Sequence, residues 1–193
     1  MLILGSLSPR RKEILSFYNL PFVQKPSPFD EASCQPGRSA AKYVLKLAEK
    51  KGEALSPLYP QELILTCDTV VFFKGKILEK PKSRKDAEQM LQSLSGQWHT
   101  VYTAVSIRQG TKVKSAYETT RVLMPIFSQK ALSIYLDTNE WSDKAGGYGI
   151  QNKGALLVKK IQGCFYNVMG FPVQTVAALL KEFHVDLWEY YPC

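Results

Sequence analysis

The stretch LILTCDTVVFF, residues 63–73, restricts the fold more than any other part of the sequence. Its residues are nearly all apolar, and many are β-branched or aromatic, so the stretch predicts a β-strand with a buried face. Lys74-Gly75 then predicts a turn into a short return strand. Such a strand needs a sizeable core around it, which a hydrophobic content of 45% can supply.

Predicted strands and helices alternate along the chain, which is typical of an α/β domain. A strand is expected at residues 1–4, and an antiparallel pair of strands is expected to turn at Gln109-Gly110. Helices are expected in five segments, residues 9–18, 39–55, 83–94, 128–136 and 173–183. Because the 193 residues contain no clear linker or repeat, we expect a single domain, residues 1–193, built on a mixed β-sheet.

The composition narrows the class of partner and the compartment. With 25 Lys and Arg against 17 Asp and Glu, the net charge of +8 suits nucleic acid, an anionic membrane surface or phosphorylated small molecules. The sequence has no apolar run of about 20 residues and no signal-peptide pattern, so we expect a cytoplasmic protein that does not span a membrane. The four cysteines show no CxxC spacing, which favours free thiols over a zinc site.

An unusual pair of cations follows the first predicted strand. Ser8 and Pro9 are typical of a helix start, where partial positive charge favours acidic residues, yet Arg10 and Arg11 come next. A bound phosphate would make this placement favourable, because backbone N–H groups and guanidinium groups would share it. The alternative is two surface arginines paired with acidic neighbours such as Glu13.

Asp68 is the one acidic residue in the apolar strand of residues 63–73. An ionised carboxylate on a buried face is costly unless it is paired or binds a metal, so Asp68 is a candidate general base or metal ligand. The alternative is a structural aspartate bonded to nearby backbone. In a regular strand the next residue, Thr69, faces the opposite side.

Three further candidates are weaker when taken alone. Glu31 belongs to an acidic pair in an extended segment, and Lys80 precedes a proline, which favours an extended backbone. Gln151 follows closely spaced glycines that would let backbone approach a ligand, and its amide can bond to the edge of a nucleobase. Each has an ordinary alternative: a solvated acid, a surface lysine and a flexible turn. We interpret His99 and His184 as structural.

Eight segments resemble, in order, the motifs of Maf-like nucleotide pyrophosphatases, and together they cover nearly the whole chain. They are SLSPRR, FDE, LAEKK, CDTVV, LEKP, LSGQWHTVYT, DKAGGYGIQNKGA and GFPV. The resemblance implies an α/β fold with an elongated, twisted mixed sheet and two lobes around a cleft. It also implies hydrolysis of nucleoside triphosphates to the monophosphate and pyrophosphate with Mg²⁺ or Mn²⁺. The DKAGGYGIQ segment resembles the branch that acts on dTTP and UTP.

The resemblance also assigns roles to individual residues. Asp68 matches the proton acceptor, and Glu31 with Asp68 would bind the metal. Three residues match positions associated with the pyrimidine branch: Arg10, Thr69 and Gln151. The groups expected around the triphosphate are Ser8, Arg10, Arg11, Lys51 and Lys80. The family further implies a homodimer.

Two functions from other classes stay open at this point. The net charge and the aromatic content suit a nucleic-acid-binding module, although no helix-turn-helix, RNP-like or zinc motif supports one. The family's association with septum formation would also suit a protein-interaction regulator of cell division.

Overall fold

The computed structural model describes residues 1–192 as a mixed α/β fold. One seven-stranded sheet has the order β2-β1-β3-β5-β6-β7, and β4 pairs with β3. β1 runs parallel to β2 and β3, whereas β3 with β4 and β6 with β7 are antiparallel. The strands are β1 Leu2–Leu4, β2 Phe22–Gln24, β3 Leu63–Phe73, β4 Lys76–Leu78, β5 Trp98–Gln109, β6 Lys112–Leu123 and β7 Lys160–Gln162.

Among residues 1–192, six α-helices accompany the sheet, and all five predicted ones begin within one residue of the expected position. The helices are α1 Pro9–Leu15, α2 Ala40–Leu55, α3 Arg84–Leu94, α4 Gln129–Asp137, α5 Phe165–Val168 and α6 Val173–Lys181. Serine side chains cap α2, α3 and α4 by accepting a backbone N–H bond in the first turn. The mixed sheet flanked by helices confirms the expected fold class.

Two helices end earlier in the structure than the sequence predicted. α1 ends at Leu15 instead of residue 18, because Phe17 and Tyr18 donate their N–H groups to carbonyls only three residues back. α6 ends at Lys181 instead of residue 183 for the same reason, at Glu182 and Phe183. The four-residue helix α5 was not predicted, since a single turn carries too little periodic pattern.

The chain divides into two compact units. The first contains residues 1–68, residues 103–118 and the C-terminal segment from Gly170, and the second contains Thr69–Tyr102 and Thr119–Met169. In the first unit, Leu55 of α2 packs with Ile3 and Ile64 of the sheet. The Thr66 hydroxyl donates to the Ala48 carbonyl at 2.7 Å, which fixes α2 along β3.

The second unit has its own apolar core, formed by α3, α4 and the strands they cover. Its buried members include Leu91, Leu94, Val101, Val122 and Tyr135. Within the described residues, none of the helices of either unit has the length and apolar character that crossing a membrane requires.

The cysteines behave as predicted where the structure describes them. Cys34, Cys67 and Cys164 are free thiols, and Cys193 lies outside the described residues. Burial raises the pKa of the Cys67 thiol to about 11, so this group stays protonated at neutral pH and is a poor nucleophile.

His99 is buried in the second unit and gives the fold a specific pH dependence. It is 3% exposed, and burial lowers its pKa from 6.5 to about 4. As the pH falls from 6.5 to 4, the unfolded chain binds a proton that the folded chain does not, so stability is lost across this window. We expect this residue to contribute a loss of about 3 kcal/mol, with no further loss below about pH 4.

Urea unfolding at pH 7 and pH 4.5 measures this contribution. The wild-type chain should lose more stability between the two values than a His99→Gln variant, which cannot titrate there. Equal losses in the two proteins would contradict the buried, neutral imidazole.

Candidate active site

Asp68 is a buried carboxylate near the middle of β3, with only 6% of its surface exposed. Burial raises the pKa of its carboxyl above the ordinary 3.8, while the positive charges of Lys51 and Arg11 oppose the rise. The prediction that this residue needs a charged partner is therefore confirmed. Its closest partner comes from a helix, not from the backbone that the structural alternative required.

Lys51 lies in the last two turns of α2 and joins two carboxylates. Its side chain is 10% exposed, and its Nζ bonds to Asp68 Oδ1 and lies 2.9 Å from Glu31 Oε1. The Ser27 hydroxyl also donates to the Lys51 carbonyl at 2.9 Å, which ties the segment before Glu31 to α2. Glu31 and Asp68, far apart in sequence, thus converge on one positive charge.

This arrangement fits a divalent cation. No group of three or more His, Cys, Asp or Glu side chains suited to a metal occurs among residues 1–192, so a protein-only cage is not present there. Glu31 and Asp68 instead provide two carboxylates that already share the Lys51 ammonium. Mg²⁺ commonly binds one or two protein carboxylates, while substrate oxygens and water complete its coordination. Glu31 and Asp68 are the residues that would hold it.

Arg11 is held by three acceptors of the first unit. Its Nε donates to the Gly170 carbonyl at 2.9 Å, and its Nη1 donates to Ser6 Oγ at 3.0 Å and to the Cys67 carbonyl at 2.9 Å. The guanidinium therefore anchors the backbone next to Asp68. Sequence reasoning assigned Arg11 to phosphate binding and missed these bonds, because two of the acceptors lie 56 and 159 residues away.

Ser8 and Arg10 stand at the start of α1, which has no acidic residue in its first turn, as the sequence indicated. The Ser8 side chain does not cap the helix, and the Ser8 N–H donates to Ser6 Oγ at 3.2 Å. Ser8 is nevertheless the N-cap residue and Pro9 the first helical residue, as the sequence predicted, so only the side-chain capping bond is absent.

The second unit brings two of the other candidate segments together. Thr69 opens this unit on β3 and is half-buried, while Lys80 is exposed after β4. The Gly146 N–H donates to the Glu79 carbonyl at 3.1 Å, so the glycine-rich segment is bonded beside Lys80. A Cβ on Gly146 would lie 2.9 Å from Val71 Cγ2, which explains why glycine is required at this contact with β3.

Gln151 lies within a tightly closed turn between Gly149 and Gly154, and its side-chain oxygen has an unusual environment. Its Oε1 is buried, and no group among residues 1–192 donates a hydrogen bond to it. A Cβ on Gly154 would lie 2.1 Å from the Gly149 carbonyl oxygen, so the backbone on the two sides of Gln151 is in close contact. A buried acceptor without a donor is costly, which marks Gln151 as a group that a ligand can satisfy.

Comparison with known proteins identifies the family. Residues 1–183 match the family model described as "Maf-like protein". The chain belongs to the Maf-like family. The resemblance carried by the sequence motifs is thereby confirmed over nearly the full length.

Relatives similar to this chain include proteins named dTTP/UTP pyrophosphatase. The protein from Chlamydia caviae is 43% identical over 190 residues, which are 98% of this chain and 97% of the relative. The protein from Latilactobacillus sakei is 44% identical over 182 residues, which are 94% of this chain and 100% of the relative.

Solved structures support the fold of this Maf-like chain. The Ham1 protein of Staphylococcus aureus matches with a TM-score of 0.52 at 12% identity, covering 95% of this chain and 97% of that one. A HAM1 protein from Coxiella burnetii gives a TM-score of 0.50 at 12% identity, covering 94% and 98%. At this identity the likeness concerns the fold alone.

Proposed function

We propose that this Maf-like chain hydrolyses dTTP and UTP to the nucleoside monophosphate and pyrophosphate. The observation that carries the proposal is the buried Asp68 carboxylate, which shares the Lys51 ammonium with Glu31. The names of the relatives from Chlamydia caviae and Latilactobacillus sakei support the choice of substrate. Modified pyrimidine nucleotides are further candidates, because they present the same base edge.

Asp68 acts as the general base in this proposal. Its carboxylate takes a proton from a water molecule, whose oxygen forms a bond to the α-phosphorus while the bond to the bridging oxygen breaks. Pyrophosphate leaves with the electrons of that bond. Positioning and charge compensation supply most of the rate in such displacements, so a fixed carboxylate beside fixed cations is suited to the task.

Glu31 and Asp68 would hold Mg²⁺ or Mn²⁺, which when bound compensates the charge of the phosphate oxygens. Lys51 and Lys80 provide further positive charge for the triphosphate, with Arg10 and the Ser8 hydroxyl at the start of α1. Arg11 contributes by holding the Cys67 carbonyl and Ser6 Oγ, and its charge also acts on Asp68.

Gln151 selects the base, with Thr69 beside Asp68 as a second group associated with pyrimidine recognition. Uracil and thymine carry an N3–H donor between two carbonyl oxygens, which suits the buried Oε1 of Gln151 and its neighbouring NH₂ group. Cytosine has no proton on N3, so it would place an acceptor opposite Oε1 in the same position.

A Gln151→Ala variant is expected to lower kcat/KM for dTTP and UTP by about tenfold to a hundredfold, because a buried base-edge bond is lost. The preference over CTP should shrink by a similar factor. Steady-state kinetics with the three nucleotides measure both effects. Gln89→Ala on the exposed face of α3 is the matched control and should change neither.

A pyrophosphate-release screen tests the proposed function. The purified chain is assayed with the common nucleoside triphosphates and 7-methyl-GTP, each with Mg²⁺ and with Mn²⁺. Selective turnover of dTTP and UTP is the expected result. No release from any nucleotide would contradict the proposal, and equal release from all of them would contradict the role of Gln151.

The homodimer implied by the family resemblance and the cytoplasmic location expected from the sequence belong to the same proposal. Sedimentation equilibrium of the purified chain tests the first, with twice the 21.8 kDa chain mass as the expected result. A monomer at all concentrations would contradict it.

A further inference from the structure

A buried hydrogen bond lies in the core of the second unit, beside the segment that carries Gln151. Its partners are His99 of β5, 3% exposed, and Tyr148, 5% exposed. His99 Nε2 lies 2.6 Å from the Tyr148 hydroxyl oxygen, and the rings meet edge to face with centroids 5.4 Å apart. Neither residue has a role in the proposed chemistry.

The two groups are neutral at physiological pH. Burial lowers the pKa of His99 to about 4 and raises the pKa of Tyr148 far above its ordinary value. The bond therefore keeps one charge state across the working range of the protein. This suits a fixed anchor and does not suit a proton-transfer pair.

The segment between Tyr148 and Gln151 leaves little room for movement. A Cβ on Gly149 would lie 2.9 Å from Lys144 Cε and 3.3 Å from Gln151 Oε1, so the backbone at Gly149 lies directly against the Gln151 side chain. Gly154 closes the turn over the Gly149 carbonyl. A shift of Tyr148 would therefore move the Gly149 backbone, and this backbone contacts the Gln151 side chain.

The Tyr148 ring is the anchor of this segment in the core. It packs in the cluster that contains Leu91, Val101 and Tyr135, and its hydroxyl is bonded to His99. The hydroxyl fixes the position of the ring in the apolar core. If the ring rotated or slid, the buried His99 nitrogen would lose its hydrogen-bond partner, which is costly.

We propose that His99 and Tyr148 are positioning residues for base selection, and that their hydrogen bond holds Gln151 at the position where it distinguishes uracil and thymine from cytosine. This inference rests on the proposed function and adds two residues that do not themselves touch the substrate. This positioning role can be distinguished from a purely structural role, because loss of a purely structural bond would lower stability and leave the base selectivity unchanged.

Tyr148→Phe removes only the hydroxyl and is the main test. We expect KM for dTTP and UTP to rise about fivefold to tenfold, with kcat changed less than about twofold, since one hydrogen bond supports substrate binding and not the chemical step. The preference for UTP over CTP should fall by a similar factor. Calorimetric binding of UMP and CMP gives the same ratio without turnover.

His99 is tested by a pair of variants. His99→Gln keeps a side chain that can bond to the Tyr148 hydroxyl, and His99→Leu does not. The glutamine variant should retain more of the preference for UTP over CTP than the leucine variant. Equal loss of preference in both would overturn the role of the hydrogen bond.

Thr120→Val is the matched control. It removes a buried hydroxyl of the same unit that bonds to Cys164 and Asn167, away from the Gln151 segment. Thermal stability should fall, while the preference for UTP over CTP should stay at the wild-type value. An equal change of preference in this variant would overturn the inference, because any loss of core stability would then have the same effect.

The outcomes distinguish the inference from the proposed function. Wild-type turnover of dTTP and UTP with an unchanged preference in Tyr148→Phe would overturn the inference alone. A wild-type chain that neither hydrolyses these nucleotides nor binds UMP in preference to CMP would overturn both.

Discussion

Asp68→Asn is expected to lower kcat for dTTP and UTP by about a thousandfold or more, because the amide cannot take a proton from the attacking water. The fold should persist, since the remaining side-chain oxygen can still accept a hydrogen bond from Lys51. Glu31 also stays 2.9 Å from the Lys51 ammonium, so that charge keeps a partner. Single-turnover kinetics together with far-ultraviolet circular dichroism measure the two effects.

The matched control for this substitution is Asp137→Asn. Asp137 is exposed and pairs with Arg84 at 2.7 Å, so its loss removes a surface ion pair of little energetic weight. This variant should keep the wild-type rate. A wild-type rate in Asp68→Asn would rule out this residue as the general base.

Lys51→Met should combine the second largest loss of activity with a clear loss of stability. Removing the ammonium leaves Asp68 as a buried carboxylate without its main partner, and breaking a buried pair costs about 3 kcal/mol or more. The pKa of Asp68 is expected to rise further, because burial already raises it and the opposing charge is removed. We expect kcat/KM to fall about a hundredfold through the lost charge at the phosphates.

Lys50→Met provides the comparison at the neighbouring position. Lys50 is exposed and pairs with Glu53 at 2.7 Å on the surface of α2. Its replacement should change the free energy of unfolding by less than about 1 kcal/mol and leave activity intact. If both lysine variants behaved alike in urea unfolding, the buried ion pair would not have the weight assigned to it.

Local patterns predicted most of the fold. The apolar run of β3, the Gln109-Gly110 turn of the β5–β6 hairpin and the starts of α2, α3 and α4 follow from rules that involve only neighbouring residues. The ends of α1 and α6 did not follow, because the last turn of each helix tightens to three-residue bonds. The single-turn helix α5 is too short for its periodicity to be recognised.

The sequence could indicate which residues belong to the candidate site, but it could not indicate most of the contacts between them. Asp68 could be singled out because a carboxylate in an apolar strand needs a partner, but the pattern could not name Lys51, 17 residues earlier on a helix. Arg11 was placed with the phosphate-binding groups, and its bonds to residues 6, 67 and 170 could not be predicted from local pattern. The His99–Tyr148 bond joins residues 49 apart, and no local signal indicates it.

The most direct test of the central claim is the fate of the oxygen from water. The wild-type chain hydrolyses dTTP in water enriched in ¹⁸O, and mass spectrometry of the products locates the label. If water attacks the α-phosphorus at the Asp68 site, one ¹⁸O enters dTMP and the released pyrophosphate stays unlabelled. Label in inorganic phosphate or pyrophosphate would place the attack at another phosphorus and contradict the account.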